Sequence, residues 1–247
     1  MTSRIPASVA VGVTVMAAAA ALSFAAQAPV PAPGPSPTVI PQLHLALTNA
    51  NVVNVGDGTI ITGATVVVRD GRITSVGPGA APAGATVIDV GGRWLLPGLV
   101  DVHTHLATMD AAERALMSGV TTVRSASVGF FQDVGLREFV RAGYLAGPDV
   151  LAAGLYVTRD DPSWLADPAL VALWPRIDST DRLRQLVRLN KTRGVDVIKT
   201  RGTERAGRPD TDPREQVYSE AELTAVVDEA TKLGLDVLCH THGTEGS

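Results

Sequence analysis

The spacing of apolar and polar positions predicts short β-strands in the first part of the chain, from about residue 45 to residue 88. The runs "ATVVV" and "RITSVG" are rich in β-branched residues. Asp70-Gly71 separates them, and this dipeptide is a strong short-range signal for a hairpin. Gly56-Asp57-Gly58 marks a second turn. We therefore predict a small β module over residues 44–97.

After Gly98 the pattern changes to apolar strands that alternate with amphipathic helices. The segment "YSEAELTAVVDEATKLG" has apolar residues at helical spacing, Ser219 and Glu222 in a capping box, and Gly234 at its end. "STDRLRQLVRLNKTRG" is a second helix of this kind. Alternating strands and helices indicate an α/β fold with a parallel sheet, either a barrel or an open doubly wound sheet. Four strands follow a glycine, in "GVTTV", "GPDVL", "GVDVI" and "GLDVL".

Composition and charge exclude nucleic acid as a partner. The formal net charge is −4 and aromatic residues make up 4% of the chain, so there is neither a basic surface for phosphates nor a stacking surface for bases. The chain also has no glycine-rich phosphate-binding motif.

The N-terminal residues predict export from the cytoplasm. Residues 1–28 have the layout of a signal peptide, with Arg4 before a long run of alanine and valine. Residues 29–43 are a proline-rich linker. We expect a periplasmic or secreted protein, or alternatively a membrane-anchored one if the segment is not cleaved. Cys239 is the one cysteine, so no intramolecular disulfide can form, and we expect its side chain to be buried against a helix.

Two of the five histidines, His103 and His105, follow the apolar run "GLVDV". Residues two apart on a strand face the same side, so both imidazoles would project from one strand end. Neutral imidazole is a common zinc ligand, and two such groups can hold one metal. Two exposed loop histidines would give the same spacing, so both interpretations stay open on spacing alone.

Lys199 follows a second apolar run, "VDVI". An ammonium at such a position is poorly solvated, which lowers its pKa toward the reactive neutral amine. Reaction with CO2 would turn it into an anionic oxygen ligand able to bridge two cations. The alternative is a lysine whose stem lies along the strand while its ammonium reaches water.

The motifs "LPGLVDVHTH", "SGVTTVR", "DVIKT" and "LCHTHG" together resemble the amidohydrolase superfamily, in particular its imidazolonepropionase-like and prolidase-like branch. The resemblance covers residues 45–247. It implies a (β/α)8 TIM-like barrel, of which residues 98–247 supply strands one to five, preceded by a small β-sandwich module to which residues 44–97 contribute.

The resemblance also implies a role for each matching residue. His103 and His105 would bind the more buried of two divalent metals, expected to be Zn²⁺. Lys199 would be carbamylated and bridge the two metals, and His240 would bind the second. By alternation His242 shares a face with His240, so it could contact substrate or be a structural histidine. Asp101 could orient an imidazole or act as a simple turn cap.

The expected activity is hydrolysis of carbon–nitrogen bonds in small amides or dipeptides, Xaa-Pro dipeptides among them, by a metal-bridged hydroxide. A second interpretation is deamination or imidazolone ring opening. Members of that kind usually lack the bridging lysine and carry histidine-x-glutamate where this chain has His240-Thr241-His242. A third is a non-catalytic fragment that binds a metal or a partner.

The length indicates an incomplete copy of a longer enzyme. A (β/α)8 barrel needs about 250 residues, whereas residues 98–247 supply five strands. The aspartate that acts as general base in the family would lie beyond Ser247. Five strands of a barrel would leave two open apolar edges, which favour association, including with further copies of the chain.

Overall fold

The computed structural model describes residues 44–158, 177, 179–207, 209 and 211–243. The predicted signal peptide, residues 1–28, and the predicted linker, residues 29–43, lie outside these ranges. Among the described residues, no helix has the length and apolar character needed to cross a membrane.

The first part of the described chain is a single mixed sheet in the order β3-β2-β1-β4, with β5 also paired to β1. Asp70 and Gly71 have φ of 51° and 74° and form the tight turn between β2 and β3, as the hairpin signal predicts. A second sheet facing this one is not seen among the described residues, so the sandwich stays a prediction. The strands are β1 (His44–Val53), β2 (Ile60–Arg69), β3 (Arg72–Gly77), β4 (Thr86–Asp89) and β5 (Trp94–Leu95).

The second part contains two parallel sheets, β6-β7-β8 and β9-β10. Three of the four helices described in this part begin at side-chain caps: Thr108, Ser179 and Ser219 each accept a bond from a backbone N–H of the first turn. The elements are β6 (Leu99–Thr104), α1 (Met109–Met117), β7 (Val120–Ser125), α2 (Gln132–Arg141), β8 (Asp149–Leu151), α3 (Thr180–Thr192), β9 (Val197–Arg201), α4 (Glu220–Lys232) and β10 (Asp236–His240), with a 3-10 turn at Gly129–Phe131.

The capping box predicted for α4 is present. The Ser219 side chain accepts from the Glu222 N–H, and the Glu222 carboxylate accepts from the Ser219 N–H at 2.9 Å. Gly234, with φ of 67°, follows the helix end. Helices α3 and α4 cover β9 and β10 with a shared apolar cluster that includes Leu183, Leu186, Val187, Ile198, Val226 and Ala230.

The segment after β8 joins the two parallel sheets. The carbonyl of Ala152 accepts from Val197 N at 3.2 Å, and Lys199 O accepts from Val157 N at 2.8 Å. The Arg137 guanidinium of α2 reaches across to Asp196, just before β9, at 2.5 Å. The five parallel strands are therefore connected by backbone and side-chain bonds, and their carboxyl ends lie on one side.

Side chains from two helices hold this joining segment in place. Asp133 of α2 accepts from the N–H groups of Ala153 and Gly154 at 2.9 and 3.0 Å, and Asn190 of α3 accepts from Leu155 N–H at 2.9 Å. Gly154 has φ of 63°, and a Cβ there would lie 2.6 Å from Val195. Only glycine fits both the conformation and the space.

Candidate active site

Five of the residues singled out in the sequence line one cavity of about 150 Å³. The ring centroids of His103 and His105 are 5.8 Å apart, and those of His103 and His240 are 6.5 Å apart. The full lining is His103, His105, Tyr156, Lys199, Arg205, Ala206, His240 and His242.

The strand geometry explains why residues so far apart in sequence meet here. His103 lies near the end of β6 and His105 just beyond it, and His240 ends β10. In the parallel pair of β9 and β10, Lys199 is opposite Leu238 and His240 is opposite Arg201. Side chains at the carboxyl ends of parallel strands converge at one edge, which is where this fold class places its sites.

Lys199 is the most unusual group in this cavity. Its side chain is 2% exposed, and its Nζ makes no hydrogen bond within the part of the chain that the structure describes. Burial lowers the pKa of Lys199 to about 8. The ammonium does not reach water along its stem, and the lowered pKa makes the neutral amine more accessible than in an exposed lysine.

His105 is oriented by a backbone carbonyl. Its Nδ1 lies 2.6 Å from Ser127 O. A carbonyl only accepts, so Nδ1 carries the proton and Nε2 keeps its lone pair for a ligand. Ser127 is itself fixed, because its Oγ donates to Gly154 O at 2.7 Å. Its φ of 83° turns the carbonyl toward the imidazole.

His240 and His242 form a hydrogen-bonded pair, with 2.9 Å between the two Nε2 atoms. One ring must donate and the other accept, so the two cannot both be cations in this arrangement. Burial, followed by the proximity of His242, lowers the pKa of His240 to about 4. Burial, followed by the charge of Lys199, also lowers the pKa of His103. These imidazoles are in the neutral form that binds metals.

The histidines alone fall short of a complete metal site. Within the described ranges, no three His, Cys, Asp or Glu side chains are grouped closely enough to hold a metal ion. The buried and unpartnered Nζ of Lys199 lies in the same cavity. The residues therefore fit a metal only if the lysine contributes a further donor.

Two other residues occupy positions that bear on the sequence predictions. The Asp101 carboxylate accepts from the backbone N–H of His103 at 3.0 Å, which is the turn-cap arrangement rather than a bond to an imidazole. The prediction that Cys239 is buried against a helix is wrong, because its side chain is exposed. Cys239 lies in β10 and is not part of the apolar cluster that α3 and α4 form over the strands.

Tyr156 and Arg205 line the cavity and were missed in the sequence. Tyr156 follows β8, so the rule that strand ends converge could have found it. Arg205 lies in a long loop after β9 and carries no such signal. Both residues, together with His105, also line an adjoining cavity of about 360 Å³. The other residues of that cavity are Ala107, Ala126, Ser127, Val128, Gly129 and Gln132.

A model of the amidohydrolase family matches residues 94–247, which include every residue of this cavity. The chain belongs to the amidohydrolase family. This confirms the resemblance drawn from the strand-end motifs. A search of curated protein sequences found no match.

Solved structures similar to this amidohydrolase include a protein from Bifidobacterium longum assigned as a prolidase, with a TM-score of 0.68 and 33% identity over 83% of this chain and 51% of that one. An Xaa-Pro dipeptidase with bound methionine has a TM-score of 0.71 and 22% identity over 82% and 58%. Phenylurea hydrolase B has a TM-score of 0.59 and 25% identity over 80% and 55%. The chain thus spans little more than half the length of these relatives.

Proposed function

We propose that this chain carries the metal-binding part of a hydrolase that cleaves carbon–nitrogen bonds in small amides or dipeptides. The observation that carries the proposal is the buried Nζ of Lys199 in one cavity with histidines from two strands. Membership of the amidohydrolase family and the names of the similar structures support the reaction class. The five parallel strands β6 to β10 would be the first five of a TIM-like barrel.

His103, His105, Lys199 and His240 would hold two divalent metals, with zinc the expected ion. The Lys199 ammonium would first lose a proton, and the neutral amine would then add to CO2 and release a second proton to give a carbamate. The two steps together replace a buried cation by an anion beside neutral imidazoles. Divalent metals in such a site polarise a carbonyl and lower the pKa of water. Binding through the Nε2 of His240 requires its bond to His242 to break, which frees His242 for a second contact.

The residues of this chain give the proposed site its orientation. Ser127 O keeps the Nδ1 proton on His105, so that the opposite nitrogen faces a ligand. Burial lowers the pKa of His240 to about 4, which keeps its imidazole in the neutral form that binds metals. It also lowers the pKa of Lys199 to about 8, which makes the neutral amine needed for carbamylation more accessible than in an exposed lysine. Xaa-Pro dipeptides are the first substrates to assay, because the most identical of these structures is assigned as a prolidase.

Substitution of Lys199 by alanine tests the proposal in the full chain, reconstituted with zinc and ¹³C-bicarbonate. We expect the wild type to bind two metal ions and incorporate one ¹³C label, and Lys199→Ala to lose the label, the second ion and any dipeptide hydrolysis. Metal content by mass spectrometry and ¹³C NMR measure this. Lys191→Ala, an exposed lysine on α3, is the matched control. Two bound ions in Lys199→Ala with unchanged hydrolysis would contradict the proposal.

A further inference from the structure

Arg205 lies at the junction of the two cavities and contributes to the walls of both. Its guanidinium carbon is 5.2 Å from the ring centroid of Tyr156, which is itself buried. A guanidinium over an aromatic face is held there by a cation–π attraction. Arg205 is half-buried, so the group is both held and accessible from the cavities.

The loop that carries Arg205 is folded back on itself. Thr203 pairs with Gln216 in an antiparallel bridge, and Glu204 N donates to Glu215 O at 2.9 Å. Thr211 Oγ1 donates to the carbonyl of Arg205 at 3.0 Å. Hydrogen bonds therefore hold the backbone in place on both sides of Arg205, and its side chain lines the two cavities.

The cavities contain positive charge without a balancing carboxylate. None of the described residues that line them is acidic. Arg205 makes no ion pair with any carboxylate among the described residues, whereas Arg201 nearby is paired with Glu204 at 3.2 Å. The charge of Arg205 is one of the causes that lower the pKa values of Lys199 and His240. A guanidinium in this position would be stabilised by an anionic group on a ligand.

We propose that Arg205 binds a carboxylate of the substrate, so that the preferred substrates are N-acyl amino acids or dipeptides with a free C-terminus rather than neutral amides. The cavity of about 360 Å³ beside the histidines has room for an amino-acid residue. Gln132 in its wall offers a further amide group. The bond that is cleaved rests on the function proposed above, whereas carboxylate binding by Arg205 does not depend on it.

The test measures binding and not turnover, on full-length protein treated with a chelator so that no carboxylate can bind to a metal. Ligand-observed NMR titrations compare N-acetyl-L-alanine with N-acetyl-L-alaninamide, which differ in one charged group. We expect the carboxylate to bind about tenfold more tightly to the wild type, and Arg205→Met to bind both within roughly twofold. Arg72→Met, at an exposed arginine on β3, should keep the wild-type preference.

Equal binding of the two ligands to the wild type, or an unchanged preference in Arg205→Met, would overturn the assignment. Acetate binding as tightly as N-acetyl-L-alanine would also overturn it, because the site would then be a general anion site. If circular dichroism shows that Arg205→Met does not fold, the test uses the wild type instead. Phenylglyoxal modifies arginine side chains, and a ligand bound to Arg205 should slow its modification. N-acetyl-L-alanine should protect it and the amide should not; equal modification in both would overturn the proposal. The metal-binding test of Lys199→Ala concerns the proposed hydrolase function. The carboxylate preference is measured without metal, so it does not depend on the outcome of that test.

Discussion

The orientation of His105 depends on a backbone conformation that side chains seldom adopt. Ser127 has φ of 83°, in the left-handed region, and its carbonyl meets the His105 Nδ1 at 2.6 Å. A non-glycine residue held there costs of order 1–3 kcal/mol, and such residues cluster at functional sites. Phe130 and Phe131, in the same segment, also have positive φ. The conformation places an acceptor where the imidazole needs one.

Two substitutions at Ser127 distinguish the effect of the carbonyl position on zinc affinity from the effect of the hydroxyl. Ser127→Gly removes the hydroxyl but adopts the positive φ without strain. The neighbouring backbone bond from Val128 N to Gly154 O, at 3.2 Å, remains, so zinc affinity should fall by no more than about threefold. Ser127→Val cannot adopt φ of 83° without strain and should move the carbonyl, lowering zinc affinity by roughly 10- to 100-fold. Competition with a chromophoric chelator measures both. Equal affinity in the wild type and Ser127→Val would contradict this role.

At the residue scale the sequence predicts the groups whose positions follow from strand alternation. His103, His105, Lys199, His240 and His242 all lie in one cavity. Arg205 could not be predicted, because it reaches the cavity through a loop whose pairing is made by residues about ten positions further on. The Ser127 conformation has no sequence signal either, since nothing in "SASVG" requires a positive φ. A pattern within one segment of the sequence carries no information on interactions with segments far away in the chain.

At the scale of elements, one ion pair links the two helices that cover β9 and β10. Arg188 of α3 and Glu229 of α4 are 2.5 Å apart, and Glu229 is 5% exposed. The bond to Arg188 lowers the pKa of Glu229 below its ordinary value of 4.5. Because the folded protein binds the Glu229 proton less readily than the unfolded chain, this pair stabilises the fold above the unfolded pKa.

Glu229→Gln should therefore lower the Tm at pH 7, with the difference from wild type shrinking as the pH falls through the lowered pKa of Glu229. Thermal unfolding from pH 7 down to pH 3 measures this. Asp110→Asn is the control, since its pair with Arg114 is an exposed contact on α1 and should change the Tm little at any pH. A Tm difference for Glu229→Gln that is constant with pH would contradict the role of the charge.

Helices, strands and turns were predicted best from the sequence, because the residues that determine them are close together in the chain. The Asp70-Gly71 hairpin and the capping box of Ser219 and Glu222 both form as expected. A strand of the parallel sheets begins within each of the four glycine-led runs. Cys239 is the exception, because its exposure depends on which other elements cover β10, and periodicity within one strand does not contain that information.

At the scale of the whole molecule, the segment from Ala152 to Thr158 is where β6-β7-β8 and β9-β10 become one unit. Its backbone bonds to β9, and its Gly154 carbonyl accepts from Ser127 Oγ, which in turn fixes the carbonyl that binds His105. The segment is buried throughout. Its conformation was not predictable, because it is neither strand nor helix and takes its hydrogen bonds from side chains of two helices.

These side-chain acceptors have a consequence for amide hydrogen exchange. The N–H groups of Ala153 and Gly154 are protected by Asp133 of α2, while that of the next residue, Leu155, is protected by Asn190 of α3. Asp133→Leu should speed deuterium uptake at the first two amides only, and Asn190→Leu at Leu155 only, as measured by NMR on folded protein. Joint acceleration of all three would contradict this. Adjacent amides of one buried segment would thus report the opening of two different helices.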